Sequence, residues 1–343
     1  MNRGHSILFR CDGSQEIGLG HVVRCLALAD ELHQTHNCQV AFAMRQSLLG
    51  ASMVRERGYP VWEQRDGMET EQIRWLRKVV SVSAAQVLVL DVRDDLPREA
   101  VQKLRDSGIL IVTLDDPSER RLAADLAFYP PVPQVQKMDW TGFSGQLFVG
   151  WEWVVLRQEF AKQPPRALRE HPLVLVTMGG SDPAGLTLMA VKALELIDED
   201  FDSIVLLGPG FCHKTELEVL LAKMRRQFDV RLNVQDIPGL MAQADLAVAS
   251  FGVTVYELAV MGVPAIHLCL TQDHEESAEV FAEADIAMNL GQHRLVTVAS
   301  LTKAVRFLIN ERLLRSQMAK QAKQQIDCWG AKRISNIIIS AFS

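Results

Sequence analysis

The stretch AQVLVLDVRDDLPREAVQKLRDSGILIVTLDD, residues 85–116, contains two apolar runs on either side of an amphipathic segment. Residues 85–91 and 109–116 are rich in Val, Leu and Ile, which is typical of strands buried on both faces. Residues 98–108 predict a helix that ends at Gly108. A buried strand, a helix and a second buried strand indicate a βαβ unit with parallel strands and helices on both faces of the sheet.

The same alternation of strand and helix patterns occupies most of the chain, in two blocks. Six prolines between residues 130 and 172 interrupt it, and they predict a connection with little regular structure that ends in a linker at 162–172. We therefore predict an α/β fold of two Rossmann-like domains, 1–160 and 161–343, facing a central cleft where ligands of such sheets usually bind. The last predicted helix, from residue 331, could belong to either domain, and in two-lobed folds the chain often returns to the first.

The composition is that of a globular protein, because 48% of the 343 residues are hydrophobic and 23% are charged. The net charge of −6 argues against nucleic acid as the main partner, since phosphate-binding surfaces are basic. The six cysteines lack the paired spacing of zinc or redox motifs, and no apolar segment reaches the length of a membrane span. We therefore expect a reduced, cytoplasmic protein without stable membrane association.

The first candidate site lies in EIGLGHVVRC, residues 16–25, where the loop after the first strand enters a helix. Gly18 and Gly20 allow a ligand to approach the backbone closely, and free N–H groups at a helix start attract anions. His21 falls in the first turn, where the helix dipole favours the neutral ring, and a neutral imidazole can accept a proton from water. An ordinary glycine turn with a packing or capping histidine fits this stretch equally well.

A second turn of this kind is predicted in VTMGGSDPAGLT, residues 176–187. Gly179 and Gly180 follow a buried strand and suit the approach of a phosphate. Asp182 before Pro183, at the first helical position, explains a helix start without any ligand. It does not explain the two glycines that precede it.

The third turn is predicted in ASFGVTVYELAVMGVPAI, residues 249–266. Thr254 and Glu257 have the spacing of a capping box with Thr254 as the N-cap. The alternative is that Glu257 accepts hydrogen bonds from a ribose diol, and the spacing fits either role. Three strand–glycine–helix turns together predict several anion-binding clusters of N–H groups, as a diphosphate requires. The P-loop and dinucleotide-binding patterns are absent, which disfavours simple P-loop and NAD-binding functions.

Six segments of the chain carry a family resemblance. They are RCDGSQEIGLGHVVRCLALADEL, VTLDDPSERRLAADLAF, VGWEWVVLRQEF, VTMGGSDPAGLT, LLGPG and IPGLMAQADLAVASFGVTVYELAVMGVPAI. In this order the segments resemble the PseG/SpsG family of UDP-sugar hydrolases of pseudaminic acid biosynthesis, and they span nearly the full chain. The part SFGVTVYELAVMGVPAI is also similar to the nucleotide-sugar signature of GT-B enzymes such as the MurG glycosyltransferase.

The resemblance implies a GT-B-like fold and the release of UDP from a UDP-activated deoxyamino sugar, in the biosynthesis of a pseudaminic-type acid for flagellin or surface glycans. We expect no cofactor and no metal, a UDP-sugar as the partner, and a monomer or weak dimer. By resemblance, His21 is the catalytic residue that activates water, Glu257 binds the ribose and Ile237 lies near the uracil. The other substrate-binding positions that match the family are Gly18, Leu19, Gly20, Gly179, Gly180, Ser181, Phe251, Gly252, Val253 and Thr254.

This chain departs from the family at three places near the phosphates or the sugar. It has Phe251-Gly252-Val253-Thr254 in place of Gly-Gly-Ser-Thr, Arg93 in place of a tyrosine, and Gln272-Asp273-His274 in place of Glu-Asn-Gln. We therefore predict a preference for a sugar other than the usual diacetamido one. The alternatives are that Arg93 pairs with Asp94 or Asp95 on the surface, and that His274 lies in an exposed acidic loop.

The sequence is compatible with two other functions. A GT-B glycosyltransferase would use an alcohol acceptor in place of water, and residues 45–58 could form a mobile acceptor loop. A non-catalytic nucleotide-sugar binder would tolerate the loss of His21, which is present.

Overall fold

The computed structural model describes residues 4–14, 17–64, 69–162, 169–232 and 234–342. Contacts within the chain divide it into two compact units, Met1–Arg157 with Trp329–Ser343, and Gln158–Cys328. The first division lies close to the predicted boundary between residues 160 and 161. The prolines Pro164 and Pro165 of the predicted linker lie outside the described residues.

The first unit is a parallel sheet with helices on both faces. Its strands are β1 (Ser6–Cys11), β2 (Gln39–Arg45), β3 (Val61–Gln64), β4 (Val87–Asp91), β5 (Leu110–Leu114), β6 (Leu126–Tyr129) and β7 (Gln146–Val149). Its first helices are α1 (Gly20–His36), α2 (Leu48–Glu56), α3 (Glu69–Val82), α4 (Arg98–Asp106) and the single turn α5 (Gln134–Lys137). Short 3-10 helices occupy Glu119–Ala123 and Trp151–Trp153. The strand order is β3-β2-β1-β4-β5-β6-β7, and the strand pairs are parallel.

Alternate residues of the central strands face different helix layers, as a parallel sheet covered on both faces requires. In β1, Phe9 packs in the core that includes α1, whereas Leu8 packs in the core that includes α3 and α4. In β4, Val89 packs in the core that includes α1, and Leu90 packs in the core that includes α3 and α4. Asp91 follows Leu90 and therefore projects from the α1 face of the sheet.

The second unit repeats this architecture with six parallel strands. They are β8 (Leu173–Thr177), β9 (Asp202–Leu207), β10 (Asp229–Leu232), β11 (Leu246–Ser250), β12 (Ala265–Cys269) and β13 (Ala287–Gln292). The helices are α6 (Leu186–Glu195), α7 (Lys214–Leu221), α8 (Ile237–Gln243), α9 (Val253–Val260), α10 (Gln272–Glu283), α11 (Val298–Asn310) and α12 (Arg312–Gln325), and a 3-10 helix spans Gln158–Ala161. The strand order is β10-β9-β8-β11-β12-β13.

The last helix, α13 (Gly330–Ser340), belongs to the first unit. Its residues Ala331, Ile334 and Ile338 are buried in the core that also holds Leu28 of α1. A Cβ at Gly330 would overlap the carbonyl oxygen of Val154, so glycine lets the helix begin against the segment after the 3-10 helix Trp151–Trp153.

The prediction of little regular structure over residues 130–170 is wrong for one segment. β7 pairs with β6 in parallel, with Phe148 opposite Phe128. The two rings stack with centroids 4.7 Å apart. Several residues of β7 are exposed, and prolines surround the segment, so it lacks the apolar run that reveals the inner strands.

Candidate active site

In each sheet the carboxyl ends of the parallel strands meet at one edge, where loops lead into helices. In the first unit β1, β4 and β5 are adjacent, so the loops that follow them are neighbours at this edge. The predicted residues Gly18, Leu19, Gly20 and His21 follow β1, and Arg93 follows β4. The structure therefore brings these predicted residues to one edge of the first sheet.

The glycine loop needs unusual backbone geometry at one of its two glycines. Gly18 is left-handed, with φ of 80°, and an added Cβ would meet no described atom within 4 Å. The Ser14 amide donates to the Gly18 carbonyl at 3.2 Å, which closes the loop. Leu19 is the N-cap of α1 and Gly20 is its first helical residue. Backbone conformation thus favours glycine at 18, whereas Gly20 adopts ordinary helical geometry.

His21 contacts a carboxylate that the sequence analysis did not select. Its Nδ1 lies 2.7 Å from Oδ1 of Asp91. The His21 side chain is 21% exposed, whereas that of Asp91 is fully buried. Since an ionised carboxylate only accepts, Nδ1–H donates, and in the neutral ring Nε2 carries the lone pair. The arrangement can serve a general base that removes a proton from water.

Arg24, on the helical turn that follows His21, also holds Asp91. Its Nε donates to Oδ2 at 2.8 Å and its Nη2 donates to Oδ1 at 2.6 Å. The Cys25 thiol lies 3.5 Å from Oδ2. Burial would raise the pKa of Asp91, but the charge of Arg24 and the hydrogen bonds from Arg24 and His21 outweigh burial and hold that pKa well below its usual range. Asp91 is therefore ionised at neutral pH and fixes the orientation of the His21 ring.

Arg93 does not pair with Asp94 or Asp95, so that alternative from the sequence is wrong. Its Nη2 lies 3.2 Å from Oδ2 of Asp115, and its Nη1 donates to the Asp115 backbone carbonyl. Asp115 directly follows β5, whereas Arg93 follows the neighbouring strand β4. Pairing across adjacent strand ends was not visible in the sequence, because 22 residues separate the two.

Asp115 also reaches Arg24, and this links the two ion pairs. Its Oδ2 lies 3.5 Å from Nη1 of Arg24. The side chains of His21, Asp91, Arg24, Asp115 and Arg93 therefore form a continuous series in which carboxylates alternate with basic groups. We call this series the charge chain. It places fixed charges of both signs beside the His21 ring.

A second, buried ion cluster holds the loops after β4 and β5 in place. Asp94 accepts from Nη2 of Arg10 at 2.9 Å and from Nη1 of Arg120 at 2.5 Å. Arg120 also donates to the Val92 carbonyl at 2.8 Å and to Asp116 at 2.6 Å. Because Arg10 and Arg120 are fully buried, these bonds also neutralise charges that would otherwise destabilise the fold.

In the second unit, the predicted glycine turns follow the adjacent strands β8 and β11. Gly179 is left-handed, with φ of 73°, and its added Cβ would lie 3.9 Å from Oγ of Ser250. Gly180 is not left-handed, and an added Cβ would meet no described atom within 4 Å. Neither packing nor backbone conformation therefore requires glycine at 180. Space beside a glycine backbone is what a close-approaching ligand needs.

The loop after β9 braces this turn. A Cβ at Gly208 would overlap the carbonyl oxygens of Gly179 and Gly180. The Gly210 amide donates to the Gly180 carbonyl at 2.8 Å. Gly208 is thus required by packing within the unit, in contrast to Gly180. The half-buried Ser181 follows directly in the braced turn.

The predicted helix start at Pro183 is wrong. Helix α6 begins at Leu186, after the left-handed N-cap Gly185. Asp182 instead reaches into the first turn, where its carboxylate accepts from the amides of Leu186 at 2.8 Å and Thr187 at 2.9 Å. These first-turn N–H groups already bind an anion. Any further anion at this turn has to use the backbone of residues 179–181.

The third turn offers a helix N-terminus without a side-chain cap. Gly252 is the N-cap of α9, its backbone is extended, and an added Cβ would meet no described atom within 4 Å. Val253 and Thr254 are the first two helical residues, so the predicted capping box with Thr254 as the N-cap is wrong. Glu257 is buried within α9, with 6% of its surface exposed. Local capping therefore does not account for Glu257.

The first turn of α10 lies beside the third glycine turn. The His274 ring and the buried Phe251 ring have centroids 5.7 Å apart. Thr271 caps α10 by accepting from the His274 amide at 3.2 Å, so the alternative of an exposed acidic loop is wrong. Gln272 and Asp273 are exposed in the same turn. His274 therefore lies beside Phe251, and both are positions at which the chain departs from the family that it resembles.

A buried histidine that the sequence analysis missed lies beneath Phe251. His267 of β12 is fully buried, and its ring centroid lies 5.7 Å from that of Phe251 and 5.1 Å from that of Phe281. Neither ring nitrogen has a hydrogen-bond partner among the described residues. Burial lowers the pKa of His267 to about 3, so the ring is neutral.

Ile237, the predicted neighbour of uracil, is the first residue of α8 and is half-buried. Asp236 caps this helix by accepting from the Gly239 amide at 2.8 Å. The helix follows edge strand β10, which β9 separates from β8. Ile237 is thus further along the same sheet edge than the two glycine turns.

Solved structures share this fold over nearly the whole chain. MurG of Acinetobacter baumannii matches with a TM-score of 0.74 at 17% identity, over 98% of this chain and 99% of that one. The chain has a GT-B-like fold. A second GT-B-like match is Staphylococcus aureus MnaA in a structure with UDP, with a TM-score of 0.69 at 13% identity, over 97% of this chain and 96% of that one.

Sequence comparisons extend the likeness to the chemistry of sugars. Residues 173–334 match the glycosyltransferase family 28 C-terminal domain. The spore coat polysaccharide biosynthesis protein SpsG of Bacillus subtilis is 23% identical over 95% of this chain and 96% of its own length. A Campylobacter jejuni protein named UDP-2,4-diacetamido-2,4,6-trideoxy-beta-L-altropyranose hydrolase is 24% identical over 81% of this chain and 96% of its own length.

An uncharacterized protein of Methanocaldococcus jannaschii is 26% identical over 75% of this chain, but the match spans only 54% of that protein. Separately, among the described residues no helix combines the length and the apolar character that a membrane span needs.

Proposed function

We propose that the protein hydrolyses a UDP-activated deoxyamino sugar, releasing UDP and the free sugar in the biosynthesis of a nonulosonic acid. The observation that carries the proposal is the hydrogen bond of 2.7 Å between His21 Nδ1 and the buried, ionised Asp91. It orients the ring and leaves Nε2 as the base. The likeness to the Campylobacter protein named as a UDP-sugar hydrolase supports the same reaction.

The proposal assigns the nucleotide to the second unit. The diphosphate would bind backbone N–H groups of residues 179–181 and of residues 251–254, where Gly180 and Gly252 leave open space. Glu257 would accept hydrogen bonds from the ribose hydroxyls, and Ile237 would lie beside the uracil. The solved structures of MnaA with UDP and of Anabaena HepE with UDP, the latter with a TM-score of 0.63 at 14% identity, support this assignment by their shared fold.

In the proposed reaction, Nε2 of His21 takes a proton from water as the water oxygen attacks the anomeric carbon. The bond between that carbon and the oxygen of the β-phosphate breaks, and its electron pair leaves with UDP. Backbone N–H groups of the glycine turns would stabilise the charge of the leaving diphosphate. Asp91 would stabilise the imidazolium that forms, without itself taking the proton.

The identity of the sugar is a separate part of the proposal. Arg93, Gln272, Asp273 and His274 replace side chains that the family places around the sugar, and we propose that they select a different sugar from the usual diacetamido one. Arg93 is already neutralised by Asp115. A sugar carboxylate would therefore compete with Asp115, whereas an amide or hydroxyl oxygen could accept from guanidinium N–H groups that Asp115 does not bind.

A glycosyltransferase is the second candidate, because the family 28 domain match covers residues 173–334. In that case His21 would deprotonate an alcohol in place of water. The two functions differ only in the acceptor.

Incubation with a panel of UDP-sugars, with and without added alcohols, distinguishes the candidates when UDP release is followed by ³¹P NMR. Hydrolysis predicts UDP release without an acceptor. Release that requires an acceptor would identify a transferase, and binding without release would identify a nucleotide-sugar binder.

A further inference from the structure

We propose that Asp115 is a positioning residue for His21, acting through Arg24 and Asp91. The kinetic part of this inference rests on the proposed hydrolysis, whereas its structural part does not. Asp115 does not contact His21. Its role would be to hold the Arg24 side chain, so that Asp91 receives one fixed guanidinium in one orientation.

The backbone conformation and the contacts of Asp115 support a role in positioning, beyond that of a surface ion pair. It adopts a left-handed conformation, with φ of 51°, which few side chains other than Asn and Asp adopt readily. This conformation lets both its backbone carbonyl and its carboxylate bind Arg93. The same carboxylate lies 3.5 Å from Arg24. Backbone strain of this kind persists where surrounding contacts hold it, and it concentrates at functional sites.

The Asp115 backbone is also held by the sheet. Its amide donates to the Phe128 carbonyl of β6 at 2.8 Å. Its neighbour Asp116 binds the buried Arg120 at 2.6 Å. The Asp115 carboxylate thus projects from a rigid strand end, whereas the long side chains that it binds, those of Arg24 and Arg93, can adjust their conformation to it. A rigid support is what precise positioning of a base needs.

The electrostatic effect on His21 has a predictable sign. Asp91, at the end of β4, contacts the His21 ring, and Arg24 and Cys25 from α1 contact the Asp91 carboxylate. Further along the charge chain, Asp115 after β5 contacts Arg24, Arg93 contacts Asp115, and Cys11 of β1 interacts with Cys25. Asp115 opposes the positive charge of Arg24 and Arg93. Removing its charge leaves the surroundings of His21 more positive, which disfavours the protonated ring. Removing the charge of Arg24 does the opposite.

Asp115→Asn is the informative variant. Asparagine tolerates the left-handed conformation and keeps an acceptor oxygen for Arg24 and Arg93, so it removes the charge while retaining the shape. Asp125→Asn is the matched control. Asp125 pairs with Arg105 at 2.8 Å and is 24% exposed, against 27% for Asp115. It binds the amide of Ile111 at the opposite end of β5.

The first readout needs no substrate. The pH at which the His21 ring titrates, followed by its Cε1–H NMR signal, should fall by about 0.5 pH unit in Asp115→Asn and rise by a similar amount in Arg24→Gln. In Asp125→Asn it should stay within about 0.1 unit, because Asp125 binds at the opposite end of β5 and the interaction between charges weakens with distance.

The second readout is kinetic. In Asp115→Asn, kcat for the UDP-sugar should fall about 5- to 50-fold, with the acid limb of the kcat/KM profile moving in the same direction as the ring titration. The Kd for UDP should stay within a few-fold, because the nucleotide is assigned to the other unit.

A ring titration that is unchanged in Asp115→Asn, or that moves upward as in Arg24→Gln, overturns the inference. If Asp115→Asn does not fold, Arg93→Gln provides the second test. Its side chain is 41% exposed, and loss of its charge should raise the titration pH of His21. No change in that variant also overturns the inference. If the variants show the expected shifts in the His21 titration but the wild-type protein releases no UDP, the positioning role is supported and the hydrolytic function is refuted.

Discussion

Alanine at position 252 separates the folding role of the third glycine turn from its proposed role in nucleotide binding. Gly252 is extended, and an added Cβ would meet no described atom within 4 Å. We therefore expect Gly252→Ala to change the free energy of unfolding by less than about 0.5 kcal/mol, as for a surface substitution without new contacts.

The same methyl group would occupy the space through which a diphosphate approaches the N–H groups of α9. Loss of one hydrogen bond to a charged group is worth about 1.5–3 kcal/mol. The Kd for UDP should therefore rise roughly ten- to hundred-fold. Isothermal titration calorimetry with UDP on the full chain measures this change, and thermal denaturation of the same samples measures stability.

Gly208→Ala is the contrasting variant, because its Cβ would overlap the carbonyl oxygens of Gly179 and Gly180. It should lower the melting temperature by several degrees. A Gly252→Ala protein that binds UDP as tightly as the wild type would refute the placement of the diphosphate at this turn. A large loss of stability in Gly252→Ala would refute the argument that the space beside Gly252 is open.

Four further variants test other parts of the account. His21→Asn should lower turnover about 10²- to 10⁴-fold while UDP affinity, measured by calorimetry, changes only a few-fold; near-normal turnover would make His21 structural. Asp91→Asn should destabilise the protein in urea titrations by about 3–5 kcal/mol, because it removes the buried charge that binds Arg24 through two hydrogen bonds and leaves only the contact of 3.5 Å with Asp115; a neutral effect would contradict the buried ion pair. Glu257→Ala should weaken UDP binding by about 1–3 kcal/mol with its melting temperature measured in parallel, and unchanged affinity would remove Glu257 from the ribose site. His267→Leu should raise stability at pH 7 by about 1–3 kcal/mol, because two buried ring nitrogens without partners are removed.

The His267 variant also has a defined pH dependence. The pKa of His267 is lowered to about 3, below its ordinary value, so the unfolded state takes up the proton first. The wild type should therefore keep its full stability above about pH 6.5 and lose it progressively as the pH falls toward 3. Urea titrations across this range should show a shallower loss for His267→Leu, and equal slopes for the two proteins would contradict the burial argument.

The fold was predictable because its signals are local. Unbroken apolar strands such as β4 and β5, separated by the amphipathic α4, specify parallel strands within about 30 residues. β7 escaped prediction because it is a short, largely exposed edge strand among prolines. The helix starts at α6 and α9 were misplaced because Asp182 and Thr254 have suitable spacing, while backbone conformation at Gly185 and Gly252 decided the caps.

Only some residues of the candidate site could be predicted from the sequence. The glycine turns and His21 stand out by composition, but Asp91 lies 70 residues from His21. The two meet only because β4 is next to β1 in the sheet and Asp91 projects from the face that α1 covers. One signal was available, since Asp91 ends an otherwise apolar, fully buried strand, and a buried carboxylate requires a partner. The partners of Arg93 and Asp115 depend on the adjacency of β4 and β5, which spacing along the chain does not reveal.

The most direct test of the proposed hydrolysis is the fate of ¹⁸O from labelled water. The protein is incubated with UDP-sugars in H₂¹⁸O without an acceptor, and the released UDP is examined by ³¹P NMR for the isotope shift of its β-phosphate. The account predicts that UDP is released, that it carries no ¹⁸O because water attacks the anomeric carbon, and that His21→Asn slows the release about 10²- to 10⁴-fold. UDP that carries ¹⁸O, or no release until an alcohol acceptor is added, would contradict it.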